Sequence, residues 1–349
     1  MAQKKEVDKI WCMCSFLTFR YIADKNKIFK EGINHVYPRE NTHEIILCKD
    51  ADNIDRAIRK QLEHLDLSHA ALLLSGGIDS GILAAYMPKG AKAYTARCSA
   101  ANAVDETQRA AKICEINGLE HIIVDVKWED YLECMDKLMI HDGCPVFANE
   151  PQVYTLAKKI KEDGNNLIIF GDNADMAFGG MDRLLSRDWT YNEWIERYTF
   201  LKPHNVLKEV VDVEHIYQDY KTSDGGIDVN CFLSNIFAQS SSGAYINAFN
   251  CAEINFYDPY AILGMKDKLD LKRVRSGESK YLLRELYRMK YPELPIPEKI
   301  AMARAMDQWL DRWDGPQRKE FKVGCIKDLT GEQKFLLYSL ERYLNLLDI

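Results

Sequence analysis

The chain has 349 residues and a net charge of −7, and 47% of its residues are hydrophobic while 28% are charged. This composition is typical of a globular protein with one large domain or two domains, and the acidic balance argues against a broad nucleic-acid surface. No apolar stretch approaches the roughly 20 residues of a membrane span, and the charged N-terminus lacks the apolar core of a signal peptide. We therefore expect a cytoplasmic protein without a nucleic-acid or membrane partner.

The 10 cysteines are scattered along the sequence, and no two of them form a C-x-x-C pair. The usual spacing of a zinc site or a redox dithiol is therefore missing. Reduced thiols, several of them packed as small apolar side chains, are the simplest interpretation.

The first part of the chain, residues 1–66, is predicted to be a segment of short strands and one helix. Residues 16–22 are rich in β-forming side chains that alternate in part, which favours a strand. Apolar residues within 52–65 recur with the 3.6-residue period of a helix.

From residue 70 onward, short apolar segments alternate with amphipathic ones. Strands are predicted at residues 70–74, 91–97, 120–126 and 167–170, and helices at 78–87, 104–117, 129–140 and 151–162. Repeated β-α units of this length imply a parallel sheet covered by helices on both faces. After residue 181 the alternation ends, a polar loop spans 221–230, and helical patterns cover 278–289 and 335–347. We predict an α/β fold with a largely helical C-terminal half.

The most informative segment is the loop Ser75-Gly76-Gly77-Ile78-Asp79-Ser80, between a predicted strand and a predicted helix. Two glycines allow a sharp turn and a close approach of the backbone, and the N-terminus of a helix attracts phosphate groups. The serine hydroxyls add donors. An aspartate beside a polyanion requires a cation, and Mg²⁺ prefers carboxylate and phosphate oxygens. A serine-capped turn is the structural alternative, and the missing Gly-Lys-Ser/Thr ending excludes a Walker A motif.

A second loop, residues 171–180, follows the fourth predicted strand and contains Gly171, Asp172 and Asp175. Ligands of parallel sheets bind at the carboxyl ends of the strands, where both loops would lie. The two acids could share a cation with Asp79 or act as a base. On its own, this loop is equally consistent with a polar turn that caps a helix at Asp172.

The two loops together resemble the synthetase domain of asparagine synthetase, with β-lactam synthetase and lasso-peptide cyclases as relatives. Ser75–Ser80 resembles the pyrophosphate-binding loop of the N-type ATP pyrophosphatases, and F-G-D-N-A-D-M-A-F-G-G resembles S-G-E-G-S-D-E-x-F-G-G. The resemblance implies that Asp175 binds Mg²⁺ and that Asp172 replaces a glutamate that transfers protons. Ala174 and Met176 depart from the serine and glutamate of the family loop.

Further segments add to this resemblance. Lys280 begins K-Y-L-L-R-E, which is similar to a family segment K-x-x-L-R-E whose lysine contacts the reacting phosphate. Weaker similarity covers residues 104–107, 141–149 and 256–258. The adenosine is expected along residues 94–97, with Arg97 and Gly171 among the nucleotide-binding residues. Glu253 stands where the family has an arginine, which leaves the substrate pocket undefined.

The resemblance also implies how the chain is divided. Ala2 follows Met1 where glutamine-dependent members carry a nucleophilic cysteine, and residues 17–33 resemble the family's connector. We predict a connector-like segment at 1–66 and a domain of the adenine nucleotide alpha hydrolase-like, ATP-pyrophosphatase fold at 67–349. The nitrogen would come from an amine substrate, with free ammonia or a separate glutaminase as alternatives.

These features predict a ligase that uses ATP and Mg²⁺, adenylates a carboxylate, releases pyrophosphate and AMP, and couples the acyl group to an amine. The substrates could be small molecules, peptides or carrier-bound groups, joined within one molecule or between two. A non-catalytic nucleotide-binding subunit is one alternative. Another is an enzyme that adenylates tRNA bases and uses a sulfur donor, which the net charge of −7 and the missing C-x-x-C disfavour. The oligomeric state stays open.

Overall fold

The computed structural model describes residues 5–38, 44–101, 103–299 and 302–349. The strands found there are β1 (Glu6–Val7), β2 (Lys27–Ile28), β3 (Ile46–Cys48), β4 (Ala70–Leu73), β5 (Lys92–Cys98), β6 (Glu120–Val126), β7 (Leu167–Ile169), β8 (Asn255–Tyr257) and β9 (Leu263–Met265). Two small parallel pairs, β1-β2 and β3-β9, accompany one larger sheet. Ala2, which stands where glutamine-dependent members of the family carry a nucleophilic cysteine, lies outside the described residues.

The larger sheet has the strand order β6-β5-β4-β7-β8, and each neighbouring pair is parallel. The four strands predicted from residue 70 onward are confirmed. The edge strand β8 was not predicted as a strand, because three residues are too few to show a period. Since β4 and β7 are neighbours, the loops at their carboxyl ends lie side by side.

The helices in the first half alternate with these strands, as predicted. They are α1 (Lys9–Phe19), α2 (Ala51–Leu62), α3 (Ile78–Ala84), α4 (Thr107–Asn117), α5 (Trp128–Asp142), α6 (Glu150–Glu162) and α7 (Ala174–Ala177). Alternate side chains of β4 point to opposite faces of the sheet, as a strand requires. Ala71 packs in a core with α1, α5 and α6, whereas Ala70 and Leu72 pack in a second core with α2, α3 and α4.

The strand predicted at residues 16–22 is wrong, because most of this segment belongs to α1. Asp8 caps the helix by accepting a hydrogen bond from the backbone N–H of Trp11 at 3.0 Å. Residues 11–19 of α1 are all buried. A helix that is apolar on every side lacks a 3.6-residue pattern, so its β-forming composition misled the prediction. Arg20 ends the helix in the left-handed region, with φ 70°.

The C-terminal half is mostly helical, as predicted. Its helices are α8 (Tyr191–Tyr198), α9 (Pro203–Val206), α10 (His215–Gln218), α11 (Val229–Phe232), α12 (Ala238–Ala252), α13 (Leu271–Arg275), α14 (Tyr281–Lys290), α15 (Met306–Trp309) and α16 (Gly331–Leu347). A π-helical turn at Leu233–Phe237 joins α11 to α12, and a 3₁₀ turn spans Pro259–Ile262. Helices α12 and α16 pack in the core that contains α1. Helix α14 packs in the core that contains α2, α3 and α4.

The division of the chain at residue 66 stays a prediction. Helix α1, from the predicted connector, shares its core with α5 and α16, which belong to the predicted synthetase domain. None of the described helices is both long enough and apolar enough to span a membrane.

The burial of α1 makes a testable prediction. Phe16 has no exposed surface, so Phe16→Ala removes a ring from a close-packed core and should lower the free energy of unfolding by about 3–5 kcal/mol. Urea denaturation measures this change. Val323→Ala is the control, because Val323 is 99% exposed and its truncation should change stability by less than about 0.5 kcal/mol. Equal losses in the two variants would contradict the placement of α1 in the core.

Candidate active site

The loop after β4 folds back onto the start of α3 through its serines. The backbone N–H of Ser75 donates to Ser80 Oγ at 3.1 Å, and the N–H of Gly77 donates to Ser75 Oγ at 3.3 Å. The two hydroxyl oxygens are themselves 3.1 Å apart. These bonds hold both serine hydroxyls at the N-terminus of α3, and a helix N-terminus favours the binding of anions.

Gly76 is required by its conformation and by its surroundings. Its φ is +74°, in the left-handed region that favours glycine. A Cβ atom there would lie 3.0 Å from Arg109 Cβ and 3.1 Å from the backbone nitrogen of Ala110. The loop thus packs directly against the start of α4, and this contact fixes the position of the turn.

Two aspartates from the two loops meet at one lysine. Lys280 Nζ lies 2.5 Å from Asp79 Oδ2 and also forms an ion pair with Asp175 Oδ1. Lys280 is buried and stands just before α14, with φ 53° in the left-handed region. Such a conformation costs about 1–3 kcal/mol in a residue other than glycine. The contacts with the two carboxylates offset that cost.

A second lysine, Lys299, approaches Asp175 from the other side. Its Nζ lies 2.9 Å from Asp175 Oδ2 and donates to the main-chain oxygen of Gly180 at 2.6 Å. Two acids and two lysines therefore form a charge-balanced cluster. Sequence reasoning missed Lys299, because no motif surrounds it.

The charges of this cluster set the ionisation of its members. Burial opposes the charge on Lys280, but Asp79 and Asp175 outweigh this effect and raise its pKa. Burial also opposes ionisation of Asp175, yet Lys280 and Lys299 lower its pKa. For Asp79, burial and the charge of Asp175 raise the pKa although Lys280 acts against them. The cluster therefore holds a fixed lysine cation between two unequal acids.

Asp172 is oriented by two serines of α12. Ser241 Oγ donates to Asp172 Oδ1 at 3.1 Å, and Ser242 Oγ donates to Oδ2 at 2.8 Å. Burial raises the pKa of Asp172 to about 6, although the two hydrogen bonds act in the opposite direction. A carboxyl group with this pKa can accept a proton near neutral pH. Sequence reasoning missed both serines, since small polar residues in a helix are common.

Asp258 holds the second loop in place. It follows β8 and accepts hydrogen bonds at 2.9 Å from both the backbone N–H and the side-chain amide of Asn173. Its other oxygen accepts from the backbone N–H of Tyr260 at 2.8 Å. Burial raises the pKa of Asp258 to about 7. In the sequence, Asp258 is marked only by the weak family similarity of residues 256–258.

A cavity of about 230 Å³ lies at the carboxyl edge of the sheet, over both loops. Its polar wall contains six predicted site residues: Ser75, Asp79, Ser80, Gly171, Asp172 and Asp175. Its apolar wall includes Leu73, Ala96, Val153 and Phe170. Gly76 and Gly77 belong to the same loop, and Lys280 contacts the cavity's aspartates. The structure thus gathers most of the predicted site residues in one place.

Arg97 lies apart from this group. Its guanidinium makes two hydrogen bonds, at 2.6 and 2.9 Å, to Asp125, its partner on the neighbouring strand β6. Arg97 does not line the cavity, although Tyr94, Thr95 and Ala96 of the same strand do. Its role as a nucleotide-binding residue stays a prediction that this geometry does not favour.

The donor set of the cavity fits Mg²⁺. Asp79 Oδ1 is buried and has no hydrogen-bond partner among the described residues, and Asp175 supplies a second carboxylate nearby. Mg²⁺ prefers such oxygens and is usually held by one or two carboxylates together with phosphate oxygens. Asp79 and Asp175 are therefore the residues that would hold it.

Another set of possible ligand atoms, from His35, Asp142 and Cys144, lies within 4.8 Å of one another and away from the cavity lining. His35 Nδ1 already lies 3.2 Å from the main-chain oxygen of Asp142 and 3.3 Å from its carboxylate. Burial raises the pKa of the Cys144 thiol, which disfavours the thiolate that metals bind. Hydrogen bonding and packing account for this group.

The tight packing of Gly76 predicts a larger cost for a methyl group there than at Gly90. Gly90 also has a positive φ, +80°, but no atom lies within 4 Å of its added Cβ. Gly90→Ala should therefore lower the free energy of unfolding by about 1–2 kcal/mol through conformation alone. Gly76→Ala should cost more, because crowding against α4 is added. Equal losses in urea denaturation would contradict this packing.

The serine contacts predict the direction of a pKa change in Asp172. Hydroxyl donors stabilise the charged carboxylate, so replacing both Ser241 and Ser242 by alanine should raise the pKa above about 6. A ¹³C NMR titration of labelled aspartate carboxyl carbons measures this shift. Ser234→Ala serves as the control, because Ser234 is exposed in the preceding turn. An unchanged or lower pKa in the double variant would refute the assignment.

Comparison with known proteins identifies the family of this chain. Residues 51–270, more than half of the chain, match the model of the asparagine synthase family. No curated protein matches the sequence significantly. Among solved structures, the chain is similar to the NH3-dependent NAD synthetase from Campylobacter jejuni subsp. jejuni NCTC 11168, solved in complex with the nitrate ion. The identity is 16% and the TM-score 0.25, and the match covers 37% of this chain and 58% of that one.

The family match extends from α2 to the residue before α13 and includes both loops of the cavity. The chain belongs to the asparagine synthase family.

Proposed function

We propose that this chain adenylates a substrate carboxylate with ATP and then transfers the acyl group to an amine. The observation that carries the proposal is the cavity at the carboxyl edge of the sheet. It brings the Ser75–Ser80 loop, the Lys280-bridged aspartates and Asp172 to one site. An anion-binding loop, a buried cation and a base near neutral pKa are the groups that this two-step reaction needs.

The nucleotide would lie with its base on the apolar side of the cavity and its phosphates on the loop. Leu73, Ala96 and Val153 supply apolar surface there. The hydroxyls of Ser75 and Ser80 and the N–H groups at the start of α3 would bind the β- and γ-phosphates. Mg²⁺ held by Asp79 and Asp175 would neutralise negative charge on the pyrophosphate.

In the first step, an oxygen of the substrate carboxylate attacks the α-phosphorus of ATP. The bond from the α-phosphorus to the bridging oxygen breaks, and pyrophosphate leaves with both electrons of that bond. Lys280, a compact cation held at the meeting point of the two loops, would stabilise the charge that develops on the α-phosphate oxygens. Its ion pairs with Asp79 and Asp175 fix its position for this role.

In the second step, an amine nitrogen attacks the acyl carbon of the adenylate. The nitrogen gives up a proton to Asp172, the new C–N bond forms, and AMP leaves with the electrons of the acyl–oxygen bond. Asp172 is suited to this role because Ser241 and Ser242 orient its oxygens and its pKa is about 6. The nitrogen source that we favour is an amine substrate rather than a separate glutaminase, because the base position differs from that of the glutamine-dependent enzymes.

A second candidate function is nucleotide binding without amide formation. Ala174 and Met176, which replace a serine and a glutamate of the family loop, favour it. The retained cluster of Asp79, Asp175 and Lys280 favours catalysis instead.

Two variants separate the two steps. Lys280→Met removes the cation and should reduce pyrophosphate release from ATP by at least about hundredfold, since electrostatic contacts of this kind contribute that much. Asp172→Asn should retain pyrophosphate release but slow amide formation by about 10²–10⁴-fold, the usual contribution of a general base. AMP, pyrophosphate and amide products are measured with ATP, Mg²⁺ and a panel of carboxylates and amines.

Lys272→Met is the matched control, because Lys272 is an exposed lysine of α13, the helix that precedes α14, and it should keep normal turnover. Circular dichroism verifies that each variant is folded. Wild-type rates in folded Lys280→Met would remove this lysine from catalysis. ATP binding without AMP formation across the whole panel would favour the nucleotide-binding subunit.

A further inference from the structure

A second, larger cavity lies next to the first one and has no role in the steps above. Its volume is about 630 Å³. Two features dominate its lining, a set of basic side chains and a set of aromatic ones. The basic set is Arg20, Arg183, Arg197 and Lys299, and the aromatic set is Tyr198, Phe200 and Phe237. Among the described residues, Asp182 is the one acid in the lining.

Lys299 is ion-paired with Asp175, but the three arginines of this cavity are not neutralised by a carboxylate of the described residues. Arg20, Arg183 and Arg197 form no ion pair with a carboxylate anywhere in the described part of the chain. Asp182 accepts a hydrogen bond from the backbone N–H of Arg183, not from its guanidinium. Arginines with unused donors at a concave surface favour the binding of an anion, because a guanidinium matches the geometry of carboxylate and phosphate oxygens.

Arg20 is fixed in the wall by aromatic rings. Its guanidinium carbon lies 4.9 Å from the centre of the Phe147 ring, 5.4 Å from that of Phe200 and 5.5 Å from that of Phe237. One nitrogen donates to Ser240 Oγ at 3.3 Å, whereas the buried Nε has no hydrogen-bond partner among the described residues. The ring contacts and this hydrogen bond hold the Arg20 guanidinium in the cavity wall, where its charge favours an anionic ligand.

Lys299 joins the two cavities. It lines the second cavity, while its ammonium group contacts Asp175, which lines the first one. A molecule in the second cavity could therefore extend toward the site where the α-phosphate is expected. The three arginines are supplied by the end of α1, by α8 and by the segment after Gly180.

We propose that this cavity binds a substrate through an anionic group other than the carboxylate that reacts. The aromatic side chains would pack against the apolar body of that substrate, and Arg183 and Arg197, with Arg20 behind them, would hold its anion. The anion is a carboxylate or a phosphate. The inference rests on the proposed adenylation, because it defines the substrate class for the same site, but binding can be measured without turnover.

The test uses binding of three probes to the full chain by calorimetry, without ATP. Benzylsuccinate carries two carboxylates on an aromatic body, phenylbutyrate carries one carboxylate, and phenyl phosphate carries the alternative anion. We expect an Arg183→Gln/Arg197→Gln double variant to bind the preferred anionic probe about tenfold or more weakly than wild type, because it loses two charge-assisted contacts. Arg312→Gln is the control, since Arg312 is exposed and outside the cavity.

Preference for benzylsuccinate over phenylbutyrate, lost in the double variant, would support a second carboxylate. Preference for phenyl phosphate, lost in the same way, would support a phosphate. Absence of binding by all three probes, or binding that the double variant leaves unchanged, would overturn the inference. ATP binding and pyrophosphate release are measured in parallel for each variant. Their retention would leave the proposed function standing when the inference fails.

Discussion

The ion pairs of Lys280 with Asp79 and Asp175 are the interaction on which the site depends. They join the loop after β4, the loop after β7 and the start of α14, three segments that are far apart in the sequence. Removing one partner of a buried ion pair leaves an uncompensated charge and typically costs ~3–5 kcal/mol. The same three charges are the groups proposed to handle metal and phosphate. Stability and chemistry therefore rest on one cluster.

The local backbone adapts to this cluster. Lys280 adopts a left-handed conformation to direct its side chain at the aspartates. Gly180 lies where an added Cβ would collide with Asp175 Oδ1 and Lys280 Cε, so the second glycine of the Phe-Gly-Gly ending makes room for the ion pair. Gly76 has a corresponding role against α4 in the first loop. The glycines in these loops therefore allow neighbouring groups to pack closely against the backbone, in addition to allowing the chain to turn.

The C-terminal half contributes side chains that contact the two loops at the carboxyl edge of the sheet. Ser241 and Ser242 of α12 orient Asp172, and Asp258 after β8 holds Asn173 in the second loop. Lys299 contacts Asp175 and also lines the second, basic cavity. The arginines of that cavity come from the end of α1, from α8 and from the chain after Gly180. This half thus supplies the residues that orient the proposed base and, together with Arg20 at the end of α1, those proposed to select the substrate.

The sequence by itself determined the α/β alternation, four of the five strands of the larger sheet and the two loops, because these features depend on local periodicity and on neighbouring residues in a motif. It failed for α1, whose complete burial hides helical periodicity behind an apolar, β-rich composition. Only the tertiary structure decided that Lys299, Ser241 and Ser242 reach the site and that Arg97 pairs with Asp125 on the neighbouring strand. These contacts join residues distant in the sequence, and packing of the helical half against the sheet edge determines them.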